Sequence, residues 1–472
     1  MKNRAFFLLL FSLYISVGGS TVLLSQSLKM KSVRVWSSET KSFGSISDIE
    51  VQEGRIKVIS QAKQSQGESI RYLLPGFCDA SVSLANNARG GESNRETIAV
   101  QLTSHLSSGF SHILSVGDPN LKRLQEEIQK GRMFGPYLIQ SQRPLLLGSH
   151  IPNEKKETKL YREFSEREES KWSQWIEPDR ANFFPIFLKR HREDSFPKRD
   201  LYRIRVWAER KGLVPIVYSF VDPLAWQDAL DSGYPVVFHA MTRETDLPEL
   251  QTRNYLWAPL FALSRAQSWK ENPKAIRQTL QSFSELQTQS HQKLVEPFLL
   301  GLSSDDTSSE SEADPFMGLG VPFQGFPEER LLFASGTGNY ALFPGTAALW
   351  EADIWLRWKE ERRREDELDP PEESSHFFDR IFFWSSPKRI RKTHRDPNSR
   401  QEERIQLLET LSKRTCRFLK ADHGGEIKVG GPAHFSVHTE NPLKSRMGIF
   451  KIESMVLAGK LVYTPKTKSS KK

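Results

Sequence analysis

The stretch Leu74-Pro75-Gly76-Phe77-Cys78-Asp79-Ala80-Ser81-Val82-Ser83-Leu84 decides how the rest of the chain is read. It reads as a strand, in which residues two apart share a face. Asp79, Ser81 and Ser83 therefore point one way, and Cys78 points the other.

On the N-terminal side of this run, Val33-Arg34-Val35-Trp36 and Ile56-Lys57-Val58-Ile59 alternate apolar and polar residues, with Glu53-Gly54 as a turn before the second. These are read as short antiparallel strands. The same pattern returns far downstream in Phe435 to His438 and Met455 to Tyr463. Between the two ends, helical patterns over Asn120 to Lys130 and Tyr202 to Lys211 precede the strand-like runs Tyr137-Leu138-Ile139 and Val214 to Tyr218. Alternation of that kind predicts a parallel sheet or barrel. Gly212 suits the left-handed turn that closes the second helix.

With 472 residues the chain is long enough for a barrel of about 250 to 300 residues plus a flanking module. A composition of 38% hydrophobic and 26% charged residues is that of a globular protein. Lys2 and Arg4 precede the apolar run Ala5 to Val17 and the small residues Gly18-Gly19-Ser20, so residues 1–20 read as a signal peptide or an uncleaved membrane anchor. Either reading places the protein in the periplasm or cell envelope. The net charge of +9 comes from basic residues scattered among acidic ones, which argues against nucleic acid as a partner. The basic tail 466–472 is a solvated end or an envelope contact. Charged segments at 303–314 and 359–403 are read as surface insertions. The second contains Phe377, Phe378, Phe382, Phe383 and Trp384, a cluster that needs burial against the body or against a partner.

The 74–84 run resembles the metal-dependent amidohydrolase signature Pro-Gly-x-x-Asp-x-His-x-His, with Ser81 and Ser83 standing at the two histidine positions. The likeness is to the imidazolonepropionase-like branch, and its motifs recur in order. Ser108 to Asp118 is similar to the Gly-Val-Thr-Thr-Val-Arg-Asp strand, Gly135-Pro136 and Gly148-Ser149-His150 to its Gly-Pro and Gly-Gly-His segments, and Ala334 to Asn339 to the Gly-Thr-Asp strand end. Pro344-Gly345 and Glu351 follow as in relatives. Leu408 to Ala421 resembles the last helix, and Gly425-Glu426-Ile427-Lys428-Val429-Gly430 the Gly-x-Ile-x-x-Gly segment.

The resemblance implies an α/β fold: a (β/α)8 metal-dependent-hydrolase-like barrel over 73–420, and a small β-sandwich built from 30–72 and 421–465. It also implies where a site would lie. Tyr218 takes the place of a third ligand histidine, His239 keeps a fourth, and Gly338 takes the place of the essential aspartate. His150 stands near the mouth, Lys189 is a weak candidate for the bridging lysine, and His434 replaces the aspartate of an Ala-Asp pair. His434 and His438 are read as ordinary strand residues. With Cys78 in the first barrel strand and Cys416 in a late helix, pairing of the two cysteines is not expected, and Cys78 is read as a buried structural thiol.

Hydrolysis in such a family needs a metal that lowers the pKa of bound water from about 15.7 to about 7, together with a carboxylate to move the proton. Serine hydroxyls are poor ligands, and a lone histidine does not hold a catalytic metal. The expectation is therefore a metal-free pseudoenzyme without cofactor or catalytic residues, whose pocket (Ser81, Ser83, His150, Tyr218, His239, Gly338) binds a small ligand or supports an envelope protein or a second copy of the chain. The alternative is a divergent hydrolase of non-peptide carbon–nitrogen bonds in cyclic or linear amides, using zinc or another divalent metal with His239, Lys189 and His150. A third reading is a scaffold that acts through its insertions.

Overall fold

The computed structural model describes residues 27–62, 69–86, 92–118, 121–147, 162–163, 172–188, 197–220, 222–240, 253–268, 273–287, 289–301, 326–339, 341–366 and 397–464. The N-terminal apolar segment, the 303–314 insertion, the aromatic cluster Phe377 to Trp384, the basic tail, His150 and Lys189 lie outside the described residues.

In chain order the strands are β1 (Leu28–Ser37), β2 (Ser42–Gln52), β3 (Arg55–Gln61), β4 (Arg71–Pro75), β5 (Phe77–Val82), β6 (Phe110–Ser115), β7 (Tyr137–Gln140), β8 (Leu145–Leu147), β9 (Arg162–Glu163), β10 (Phe183–Leu188), β11 (Val214–Phe220), β12 (Val236–His239), β13 (Leu256–Ala258), β14 (Phe435–His438), β15 (Ser454–Leu457) and β16 (Lys460–Tyr463). The helices used below are α1 (Arg95–Ser107), α2 (Leu121–Gln129), α3 (Lys198–Arg210), α4 (Pro223–Asp231), α5 (Phe261–Ser268), α6 (Pro273–Ser282), α7 (Gln289–Gly301), α8 (Thr346–Asp366), α9 (Pro397–Glu409) and α10 (Thr415–Phe418). The charged run expected to begin an insertion at Lys359 instead continues α8 to Asp366.

Both chain ends build one seven-stranded sheet in the order β16-β15-β14-β4-β1-β2-β3, antiparallel except where β1 meets β4. It has a small core of its own, with Val33, Ile49, Val51, Leu73, Phe435 and Val456. These come from the alternating runs of both termini, and the sheet fits a separate sandwich module. The remaining strands form two parallel sheets, β13-β12-β11-β10-β8-β9 and β5-β6-β7. Their amides also meet across the gaps. Gln142 donates to the Phe183 carbonyl at 2.8 Å, Ala80 to that of Phe333 at 3.0 Å, and Leu332 to that of Trp257 at 2.8 Å.

Local sequence explains the crossovers. In α3, Leu201, Ile204 and Ala208 recur at three- and four-residue spacing and are the buried apolar face of an otherwise charged helix. α4 starts at Asp222, whose carboxylate accepts the amides of Leu224 and Ala225 at 3.1 and 3.0 Å, with Pro223 in the first turn where no amide is needed. Gly76 is required between β4 and β5, because a Cβ there would sit 2.5 Å from the Cβ and Oγ of Ser111.

The two cysteines correct an expectation. Cys78 in β5 and Cys416 in α10 form a disulfide, with Cα atoms 5.2 Å apart across a sequence separation of 338. The alternation along β5 does turn Cys78 away from Asp79 and toward the last helix. The sequence does not show that a π-helical turn at Thr410–Arg414 sets the start of α10 against β5. There Thr415 Oγ1 donates to the Thr410 carbonyl at 2.7 Å and accepts the Phe333 amide at 2.9 Å. Both sulfurs are buried.

Candidate functional site

Asp79 and Ser81, on one face of β5, meet Tyr218 of β11. The Tyr218 hydroxyl is directed toward Ser81 and Asp79, yet it is buried without a well-formed hydrogen bond among the described residues. Asp79 is fully buried. Its Oδ1 accepts the amides of Ser81 and Ser335 at 3.1 and 3.0 Å, while its Oδ2 has no partner among the described residues. Burial pushes the Asp79 carboxyl up to about 6, against the opposing pull of its Ser335 and Ser81 contacts.

Glu351, from α8, is buried nearby, with Oε2 accepting the Ala262 amide at 2.7 Å. Burial first, and the Asp79 charge in addition, push its carboxyl up to about 8. Asp118 ties the strand ends together: it accepts the amides of Leu84 and Ala85 at 2.9 and 2.7 Å and the hydroxyl of Ser115.

Around Tyr218 the same face is filled with aromatic rings. Phe187 and Phe238 lie in register with it on the neighbouring strands, their centroids 5.0 and 4.8 Å from its own, and Phe220 stands 5.3 Å from Phe187. Phe238 thus occupies the position on β12 that faces Tyr218. His239, the next residue, takes the opposite face. Its ring stacks on Trp226 of α4 at 4.4 Å and its Nδ1 meets Ser219 Oγ at 2.9 Å. Burial drives its pKa down to about 3. The expectation that His239 joins Tyr218 and Ser81 is corrected: strand alternation carries it to the helix side.

Gly338 does come together with Ser83. Its φ is +97°, and a Cβ added there would lie 2.6 Å from the Ser83 carbonyl oxygen and 2.8 Å from the Ser83 Cβ. The Ser83 amide donates to the Thr337 carbonyl at 2.9 Å, which holds the two segments at this separation. An aspartate therefore has no room at 338. Gly338→Asp is expected to lose about 3 kcal/mol of stability, from the left-handed backbone and the backbone clash together, without gaining hydrolysis. Urea unfolding checks the first half; an unchanged midpoint would mean the Ser83 contact is not rigid.

These residues do not fit a catalytic divalent metal. The face carries hydroxyls, an aromatic wall and a glycine pressed on a carbonyl. Of its two carboxyls, Glu351 is pushed by burial up to about 8 and holds its proton at neutral pH, whereas a metal ligand must be deprotonated. Among the described residues, the groupings of histidine, cysteine and acid side chains with metal-like spacing lie elsewhere and contain neither Asp79 nor Glu351.

Both groupings share His112. On β6, His112 pairs in register with Cys78 and Tyr137, and its ring stacks on Tyr137 at 5.0 Å. The rings of His423 and His434 stand 4.9 and 5.5 Å away. The Asp422 carboxylate lies 3.4 Å from His112 Nε2 and 3.3 Å from His434 Nε2. His112 and then His434 hold this carboxyl well below its usual range. Burial lowers His112 and lowers His423 further, the neighbouring histidines adding to the effect. His438 stays apart, bonded to Ser436 Oγ and the Lys451 carbonyl at 3.0 Å each. His112, Asp422 and His423 are functional candidates that no sequence motif marks. The adjacent pair Asp422-His423 and the departure at His434 were the only signals, and nothing local joins them to residue 112.

No protein-family model matches the sequence, and no curated protein is significantly similar to it. Solved structures do share its fold. A Xaa-Pro dipeptidase with bound methionine aligns at a TM-score of 0.57 and 13% identity, covering 93% of this chain and 100% of that one. Ochratoxinase from A. niger aligns at 0.56 and 11%, covering 93% and 96%. A bottromycin amidohydrolase aligns at 0.54 and 12%, covering 92% and 86%.

Proposed function

We propose that this amidohydrolase-fold chain is a non-catalytic member of that architecture, with a binding or scaffolding role in the cell envelope. The single observation that carries the reading is the pairing of Gly338 with Ser83, where a proton-handling aspartate and a ligand histidine would have to stand. A (β/α)8 barrel is the proposed closure of the parallel strands. It is supported by the amide bonds that run from β13 to Leu332 and from Phe333 to β5. Export is supported by the Cys78–Cys416 disulfide, since such bonds persist in oxidising compartments, and by the apolar segment Ala5 to Val17.

In this reading Asp79 and Glu351 act as buried, hydrogen-bonded acids that hold strand ends and α5 in place. They do not activate water. The test is a panel of cyclic imides, dihydropyrimidines and aminoacyl dipeptides, assayed with the full chain in the presence of zinc, manganese or ferrous iron. The expected result is no metal-dependent turnover above the buffer rate. Turnover that chelation abolishes and Asp79→Asn removes would overturn the proposal.

A further inference from the structure

We propose that the face shared by β5 and β11 binds one small organic ammonium ion, a primary amine with an apolar body, through Asp79, Ser81 and Tyr218. The inference rests on the non-catalytic binding reading and names its ligand class. Two polar atoms on this face are left over by the fold. Asp79 is 0% exposed and Tyr218 3%, yet Asp79 Oδ2 and the Tyr218 hydroxyl have no partner among the described residues. They belong to one place, since the hydroxyl is directed toward Ser81 and feels the Asp79 charge. Buried polar atoms without partners are costly, and a ligand that engages both removes that cost.

The chemistry of the ligand follows from what surrounds these atoms. Asp79 Oδ1 is held by the Ser81 and Ser335 amides, so the carboxylate is fixed and only Oδ2 is open. No lysine, arginine or histidine among the described residues offers Asp79 a positive charge. The group that fits is therefore a charged donor. A primary ammonium carries three N–H bonds for three oxygens, Asp79 Oδ2, Tyr218 Oη and Ser81 Oγ. The rest of the wall is carbon: Phe187 and Phe238 have centroids 5.0 and 4.8 Å from that of Tyr218, and Phe220 stands 6.2 Å from it. Such rings give no oxygen to an alkali ion, whereas they attract an organic cation and cover its apolar body. Phe187, Phe220 and Ser83 are half-buried and mark the side from which a ligand enters. Glu351 keeps its proton up to about 8, which leaves Asp79 as the one negative charge of the pair at neutral pH and suits a single monocation.

The experiment is calorimetric titration of the full-length protein, with EDTA present, at pH 7.5. The ligand is benzylammonium chloride; benzyl alcohol, tetramethylammonium chloride and potassium chloride are the controls. Benzylammonium is expected to bind at one equivalent and to raise the thermal unfolding midpoint. The controls, which lack the charge, the N–H donors or the apolar body, should bind at least about 10-fold more weakly. Asp79→Asn, which keeps an oxygen for the Ser81 and Ser335 amides, should weaken binding at least about 30-fold, and Tyr218→Phe about 10-fold. Burial pushes the Asp79 carboxyl up to about 6, so lowering the pH to 5 protonates it and should weaken binding about 10-fold. No saturable binding, equal binding of any control, or binding untouched by Asp79→Asn and Tyr218→Phe overturns the ligand class. Each of these results leaves the non-catalytic reading standing, because that reading falls only on turnover in the substrate panel.

Discussion

Replacing Cys78 and Cys416 together by alanine is expected to lower the unfolding free energy by about 3–5 kcal/mol, because the bridge closes a very long loop in the unfolded chain. The folded state should change little: alanine fits a buried position, and β5 remains paired with β6 through the register Phe77–Phe110 to Val82–Ser115. Guanidinium unfolding with and without reductant measures the difference. Since both sulfurs are buried, reductant should act on the wild-type protein only after unfolding, and thiol labelling under native conditions should stay near zero. Rapid native-state labelling, or a double variant as stable as wild type, would show that the clasp is not what holds the last helix on β5.

The second large effect concerns Glu351. Its carboxyl is pushed up to about 8 in the folded protein from an ordinary value of 4.5. The folded state therefore binds a proton that the unfolded chain has released, and stability falls as pH rises between those two values. The loss is about 1.4 kcal/mol per pH unit, or about 5 kcal/mol in all. Below about 6.5 it is masked, because buried His105, His239, His291 and His438 have pKa values lowered to about 3 or 4 and act in the opposite sense. Asp79, raised only to about 6, has given up its proton by then.

The clean window is therefore pH 6.5 to 9, where the wild type should lose about 2 kcal/mol that Glu351→Gln does not. The glutamine side chain keeps an oxygen for the Ala262 amide and has no proton to lose, so the variant's stability curve should be flat there. Denaturant midpoints measured at half-unit steps provide the check. A parallel slope in both proteins would place the titrating group elsewhere.

The proton held by Glu351 stands beside the Gly338–Ser83 pairing in support of the functional proposal. A family that binds metal needs ionised carboxylates and free imidazole lone pairs in one cavity. Here the acids are desolvated and held by backbone amides, and the one histidine expected to remain is stacked on Trp226 with its Nδ1 on Ser219.

The sequence by itself determined the alternation of β5, the terminal strands that meet in one sheet, the βα order between them, and the presence of hydroxyls at 81 and 83. These depend on local periodicity and on residue types that read the same in any context. Only the tertiary structure decided the rest. A single-residue step at the end of β12 sent His239 to the helices and Phe238 to the Tyr218 face. A π turn at Thr410–Arg414 brought Cys416 to a cysteine 338 positions earlier. The gathering of His112, Asp422 and His434 needed β6, the loop after α10 and the approach to β14 to converge. Contacts between distant segments depend on register and turn geometry, which side-chain spacing along the chain does not encode.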